Sequence, residues 1–278
     1  MRIAGWAAAL ATTVGAPLYC QTAAATNQEF PPFQVMANVY YIGTAQLASY
    51  LITGDQGSIL INPDFESSVP FLQASVSKLG FHFSDIKIVL LSHAHDDHAG
   101  GTALIKKLTG ARLMVMDGDV AEIEGGGAGD FQYHDHWPPA KVDRTLHDGD
   151  EVALGSARVV AHKTPGHTPG CTTWTTEVRQ DGKRYQVVIV GSPNVNPGYR
   201  LRGNKQYAGI VADYERTFRV LRSLPCDIFL GAHGAYFDLP AKYQRWKAGD
   251  RLAFVDLEGY KRYVNDREKA FREELRRQ

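Results

Sequence analysis

The sequence carries no excess charge of either sign, since 30 lysines and arginines balance 30 aspartates and glutamates. Nothing in that balance favours nucleic acid or an anionic membrane surface as a partner. Cysteine is scarce, with three in 278 residues. Cys20 lies in the N-terminal segment, so Cys171 and Cys226 allow one disulfide at most, and sequence spacing does not bring them within bridging geometry. Cys226 precedes the apolar run Asp227-Ile228-Phe229-Leu230 and reads as a buried thiol. Cys171 reads as a packing residue, with metal ligation the alternative because His167 lies close before it. Long hydrophobic runs are also missing. The most apolar stretch, Ile3 to Pro17, falls short of the ~20 residues of a membrane span.

That stretch follows Arg2, the only charge before Glu29, and precedes Ala23-Ala24-Ala25. The layout is that of a secretory signal, with a retained anchor as the alternative. Residues 1–25 are therefore expected to be a signal peptide, residues 26–278 a single domain, and the mature chain periplasmic. Losing Arg2 would leave 29 basic against 30 acidic residues, a net charge near −1.

What the sequence does contain is a dense cluster of metal ligands. Ser92-His93-Ala94-His95-Asp96-Asp97-His98 follows Ile86-Lys87-Ile88-Val89-Leu90-Leu91, which is short, β-branched and leucine-rich and reads as a buried strand. Imidazole and carboxylate together suit zinc or a similar first-row metal, whereas calcium or magnesium would call for oxygen alone. One tetrahedral ion cannot use all four groups comfortably, but two adjacent ions can. One would take His93 and His95, the other Asp97 and His98, and each needs a ligand from further along the chain. His167, in Thr164-Pro165-Gly166-His167-Thr168-Pro169-Gly170, and His233, in Leu230-Gly231-Ala232-His233-Gly234, both sit among glycines or prolines beside strand-like runs. His134 and His136, flanking Asp135 in the glycine-rich and aromatic stretch 125–137, read as flap residues facing solvent or substrate, with a further metal site as the alternative. His82, His147 and His162 read as ordinary surface or packing histidines.

Alternating strand and helix signals run through both halves. Strands are expected at 34–41, 49–53, 58–62, 86–91 and 112–116, then near 151–154, 158–162, 172–178, 185–190 and 227–230. Helices are expected at 69–79, 103–108, 210–224 and 256–278. Strands with intervening helices in both halves predict two packed sheets with helices outside, in one domain.

These residues together resemble the metallo-β-lactamase superfamily. Its motif His-x-His-x-Asp-His is met by His93, His95, Asp97 and His98, and the later histidines match in order, at spacings of 69 (167 − 98) and 66 (233 − 167). More narrowly the chain is similar to class B β-lactamases of the third subclass, whose two metals use only His and Asp. The resemblance implies an αβ/βα sandwich of two mixed β-sheets with helices on the outer faces. It also implies two zinc ions, the first held by His93, His95 and His167, the second by Asp97, His98 and His233.

The implied activity is hydrolysis of the β-lactam ring of penicillins, cephalosporins and carbapenems by a metal-activated hydroxide. Asp97 would orient that nucleophile, Tyr199 would donate to the developing oxyanion, and Ser192, Asn196 and Tyr133 would contact the substrate. The partner would be a small molecule and the chain a monomer, with neither nucleic acid nor, once the signal is removed, a membrane as partner.

Gly191-Ser192 stands where thioester hydrolases, lactonases and nucleases of the superfamily usually carry a Gly-Asp whose carboxylate bridges the metals. Asn194 and Asn196 stand near where β-lactamases often carry a second serine. Another two-metal hydrolase, of lactones, esters or thioesters, is the alternative reading, and a non-catalytic metal-binding protein the third. A serine-enzyme reading rests only on Ser75-Val76-Ser77-Lys78 and Ser84-Asp85-Ile86-Lys87, and such Ser-x-x-Lys matches are common.

Overall fold

Whether an apolar run is covered on one face or two is decided by what packs on it, and the chain provides cover on both. The computed structural model describes residues 28–133 and 135–278. The expected signal peptide, residues 1–25, lies outside the described residues, as does His134. Strands β1 (Phe33–Met36), β2 (Val39–Tyr41), β3 (Tyr50–Gly54), β4 (Gly57–Ile61), β5 (Ile86–Leu90), β6 (Arg112–Met116) and β7 (Arg144–Leu146) form one sheet in that spatial order. A second sheet holds β8 (Glu151–Leu154), β9 (Ala157–Lys163), β10 (Thr172–Gln180), β11 (Lys183–Val190) and β12 (Ile228–Gly231), in the order β12-β11-β10-β9-β8. Both sheets are mixed, with β4, β5, β6 and β7 parallel in the first and β11 and β12 parallel in the second.

Period-two alternation divides the first sheet between two cores. Ile59, Ile61, Ile88, Leu90, Met114 and Met116 face inward and share one core with Trp174, Val187 and Ile189 of the second sheet. Leu60, Val89, Leu113 and Val115 face outward, against Val69, Leu72 and Val76 of helix α1 (Val69–Lys78). Helices α2 (Asp96–Ala99), α3 (Thr102–Thr109) and α4 (Val120–Gly125) belong to the first half. Ile105 of α3 and Ile123 of α4 complete the outer core. In the second half, α5 (Ile210–Ser223), α6 (Leu239–Lys247) and α7 (Leu257–Arg277) follow, and Tyr214 and Phe218 of α5 stack with or tilt against Phe271 of α7. The arrangement is the predicted αβ/βα sandwich.

Two details differ from the sequence reading. The strand expected at 34–41 is a tight hairpin, because Ala37 takes a left-handed conformation (φ 48°) and Asn38 Nδ2 donates to the Thr53 carbonyl at 2.8 Å. No glycine marks that turn. Helices α4 and α6 and strand β7 were not anticipated, being short and weakly patterned. Cys171 and Cys226 are both free and buried, and burial pushes both thiols up, Cys226 to about 12.

Topology sends the functional loops to one edge. Parallel β4, β5 and β6 end there in Asn62, His93 and Asp119, while β9, β11 and β12, mutually parallel through antiparallel β10, end there before His167, Ser192 and His233. The two sheets are tied at this edge, where the Thr172 N–H donates to the Ser92 carbonyl at 2.7 Å and Trp174 Nε1 donates to that of Leu91 at 3.3 Å. Among the described residues, no helix is long and apolar enough to cross a membrane.

Candidate metal centre

A loop that must hold four ligands in place needs its backbone fixed. The Ser92 N–H donates to Asn62 Oδ1 at 2.8 Å and the Ala94 N–H donates to Asp119 Oδ2 at 3.0 Å, which pins the chain on both sides of His93. Asn62 reaches this position from a left-handed backbone (φ 62°), and its Nδ2 donates to the Ala48 carbonyl. Asp119 also accepts from Thr168 Oγ1 at 2.7 Å and from the Gly170 N–H at 2.6 Å, so one buried carboxylate clamps the His93 loop to the His167 loop. Burial raises its pKa to about 6 against the lowering effect of those donors. Gly170 must lack a side chain, since a Cβ there would lie 2.6 Å from Asp119 Cγ; one on Gly166 would lie 2.7 Å from the Tyr214 ring.

The six sequence-predicted ligands converge in two groups. Ligand atoms of His93, His95 and His167, all buried, lie within 4.8 Å of one another. Beside them, His98 Nε2 lies 3.1 Å from His233 Nε2 and 3.4 Å from Asp97 Oδ2, and His233 Nε2 lies 3.7 Å from the same oxygen. Zinc bonds of about 2.0–2.2 Å in a tetrahedron put ligand atoms roughly 3.3–3.6 Å apart, so this triangle has the size of a zinc site. His93 also lies within 4.8 Å of Asp97 and His98. Its ring centroid is 4.3 Å from that of His98 and 4.5 Å from that of His167, so it stands between the groups. The tighter Asp97–His98–His233 triangle is the better second site.

The imidazoles are held neutral, as ligands must be. Burial, reinforced by the neighbouring histidines, lowers the pKa of His93 and His167 well below 6.5, that of His98 to about 3 and that of His233 to about 4. His95 departs from this pattern: burial opposes its charged form, but the Asp130 carboxylate that faces its ring nitrogen and other nearby carboxylates raise it overall. His167 Nδ1 donates to the Asn194 carbonyl at 2.9 Å, which leaves Nε2 as its ligand nitrogen. Buried His93 Nδ1 and His98 Nδ1 have no hydrogen-bond partner. Two imidazole nitrogens and a carboxylate oxygen converging at 3.1–3.7 Å form a set that a divalent cation would satisfy.

The expected substrate and oxyanion residues fare less evenly. Tyr199 is 2% exposed and its hydroxyl donates to the His167 carbonyl at 2.9 Å, so its one proton braces the His167 loop instead of pointing to a reacting oxygen. Ser192 is 1% exposed, with Oγ 3.1 Å from Tyr236 Oη, and is set into the wall. Asn196 Nδ2 donates to Tyr133 Oη at 3.0 Å; both residues are half-buried, and the Tyr133 ring stands edge-on to His95 at 5.2 Å. His147 pairs with Asp117 and His162 with Thr175, away from the cluster. Ser75 is buried in α1 without a partner, and Lys78 is exposed at its end, which removes the serine-enzyme reading.

Sequence reasoning missed Asn62, Asp119, Asp130 and Tyr236. The last accepts from Asn194 Nδ2 at 2.8 Å, touches Ser192, and packs its ring 5.0 Å from His233. Short polar punctuation after β4 and β6 was the only signal for the first two.

Comparison with known proteins agrees with this geometry. The family described as "Metallo-beta-lactamase superfamily" matches residues 42–180. The solved FEZ-1 metallo-beta-lactamase from Legionella gormanii is 50% identical, with a TM-score of 0.89 over 91% of this chain and 98% of that one. BJP-1, a subclass B3 metallo-beta-lactamase of Bradyrhizobium japonicum, is 38% identical, with a TM-score of 0.86 over 91% of this chain and 96% of that one. A hydroxyacylglutathione hydrolase of Rhodospirillum rubrum is 34% identical over 97 residues, 35% of this chain and 30% of that one. A protein named "Probable metallo-hydrolase" from Burkholderia pseudomallei is 30% identical over 57% of this chain, and the chain spans about half of its length (54%). From the residues matched, the likeness across nearly the whole described fold and the paired ligand groups, the chain belongs to the metallo-beta-lactamase superfamily.

Proposed function

We propose that the chain is a zinc-dependent β-lactamase that opens the β-lactam ring of antibiotics and so confers resistance to them. The observation that carries this is the pair of adjacent three-ligand groups, His93–His95–His167 and Asp97–His98–His233, with a serine and no carboxylate following Gly191. Three protein ligands per zinc leave a coordination position for substrate or water at each, which is the pattern of a catalytic site and not a structural one. The solved neighbours named as B3 metallo-beta-lactamases support the substrate class.

Two zinc ions bound there would act as Lewis acids and lower the pKa of a water from 15.7 to about 7. The protein does the rest by position. Asp97 turns one oxygen to His98 and His233 and keeps the other to accept a hydrogen bond from the attacking water, which orients it toward the lactam carbonyl carbon. Water adds across the C–N bond: oxygen joins the carbonyl carbon, and a proton ends on the released nitrogen. Tyr133 and Asn196, joined by their hydrogen bond, line the flap side and offer polar contacts to the substrate. Tyr199 and Tyr214 hold the His167 loop and the Asn194 carbonyl in place from behind.

The N-terminal segment supports export to the periplasm, where β-lactams are met, and the chain is read as a monomer acting on a small molecule. N-terminal sequencing of the mature protein and its mass in solution check both. The match to hydroxyacylglutathione hydrolases favours a second reading, thioester hydrolysis. Assaying the purified chain on a carbapenem, a cephalosporin and a glutathione thioester decides between them. Turnover of the β-lactams well above that of the thioester is expected, and the reverse order would replace the proposal with the second reading.

A further inference from the structure

We infer that Asp130 is a positioning residue that couples the flap over the site to the first metal ligand group. Asp130 is 7% exposed, with no lysine or arginine paired to it among the described residues. Its Oδ2 lies 3.5 Å from His95 Nε2, a buried nitrogen with no other partner. Its Oδ1 accepts the N–H groups of Gln132, at 2.7 Å, and of Tyr133. One carboxylate therefore touches a metal ligand with one oxygen and turns the flap backbone with the other. Tyr133 closes the loop of contacts, since its ring packs on His95 and its hydroxyl accepts from Asn196 across the pocket.

The chemistry follows from the two ring nitrogens. A histidine that binds a metal through one nitrogen carries its proton on the other, and a carboxylate facing that proton sets the tautomer and strengthens the ligand. Asp130 at Nε2 thus keeps Nδ1 of His95 as the nitrogen with a free lone pair. Ordering of His95 by a metal would order Asp130, and through its two accepted N–H groups the turn at 130–133. Displacement of the flap would in turn withdraw the carboxylate from His95.

The test separates this role from simple turn formation. Asp130→Asn keeps an oxygen for the two flap N–H groups but turns an amide N–H toward Nε2, which favours the tautomer protonated at Nδ1 and blocks the ligand. Zinc titration of the full chain against a chromophoric chelator gives its stepwise dissociation constants. One of them is expected to weaken by roughly tenfold to a hundredfold in Asp130→Asn, with the other unchanged. Hydrogen exchange of the Gln132 and Tyr133 amides is expected to slow on zinc addition in the wild type and not in Asp130→Asn. Asp130→Ala, which loses both contacts, should weaken the same constant and exchange fast throughout.

Wild-type zinc constants in a folded Asp130→Asn, or flap exchange indifferent to zinc in the wild type, would overturn the inference. A wild-type chain that takes up no zinc would overturn the two-metal reading on which it rests, and the inference with it.

Discussion

Tyr199 has one phenolic proton and two candidate acceptors, the backbone carbonyl of His167 and a reacting oxygen. A tyrosine in a pocket loop invites an oxyanion assignment, but a phenol has one proton, and here the His167 carbonyl accepts it. Removing an oxyanion donor costs on the order of 10²–10³ in kcat. Tyr199→Phe is expected to lower kcat by less than about tenfold, and to cost about 1–3 kcal/mol of stability for the unpaired carbonyl. Steady-state kinetics and urea unfolding of the variant check both, and a loss of kcat beyond a hundredfold would assign the oxyanion role to Tyr199 instead. Asp119 is the opposite case, a decisive residue with an unremarkable sequence context. Asp119→Ala would strand the donors of Ala94, Thr168 and Gly170. At ~1–3 kcal/mol for each buried unpaired group the loss should reach several kcal/mol, read as a lowered Tm. The six ligands were legible because metal chemistry restricts residue type, because four of them fall within six residues, and because the two distant histidines sit among glycines and prolines beside strand-like runs. Asn62, Asp119 and Asp130 were not legible in this role, because each meets the site through a partner distant in sequence, Ser92 for Asn62, Ala94, Thr168 and Gly170 for Asp119, and His95 for Asp130, and no side-chain pattern marks an acceptor of that kind.

At the level of elements, the strands that could be read were those dominated by apolar residues, such as β5, where every side chain but that of Lys87 is buried. Turns made without glycine could not be read. The β1–β2 hairpin at Ala37 and Asn38 is one example, and the junction after β4, where Asn62 and Asp64 both take left-handed backbones (φ 62° each), is another. Asp64 is buried there and accepts from the Phe65 N–H and Ser68 Oγ. Burial outweighs these donors and, helped by the charges of Asp97 and Asp96, raises its pKa to about 7 from 3.8. The folded chain thus binds this proton more tightly than the unfolded chain. The group costs nothing below the unfolded pKa, and stability is lost as pH rises from 3.8 through about 7. Asn tolerates the left-handed backbone and carries no charge. Asp64→Asn is therefore expected to stabilise the chelator-treated protein at pH 8 by on the order of 2–4 kcal/mol, and to lose that gain toward pH 4. Urea unfolding at the two pH values checks it; equal stability of variant and wild type at pH 8 would contradict it.

For the whole molecule, the sandwich places six ligands from three loops at one edge because strands of like direction end there. Helices covering both outer faces were expected from the alternation of elements. The convergence itself was beyond the residues alone, since sheet order is set by contacts between halves of the chain such as Thr172 on Ser92 and Trp174 on Leu91. Removing one ligand should empty one site and spare the fold: Asp97→Ala is expected to bind one zinc ion in place of two, and to lose most of its turnover while keeping its unfolding midpoint near that of the wild type. Metal analysis beside thermal unfolding checks it.

The most direct test is the rate of carbapenem hydrolysis by the purified mature chain before a zinc chelator, after it, and after zinc is returned. Turnover that disappears with the chelator and is restored once two zinc ions per chain have been taken up again is the predicted result. Turnover indifferent to the chelator, or none at all in a chain shown to hold two zinc ions, would contradict a zinc-dependent β-lactamase.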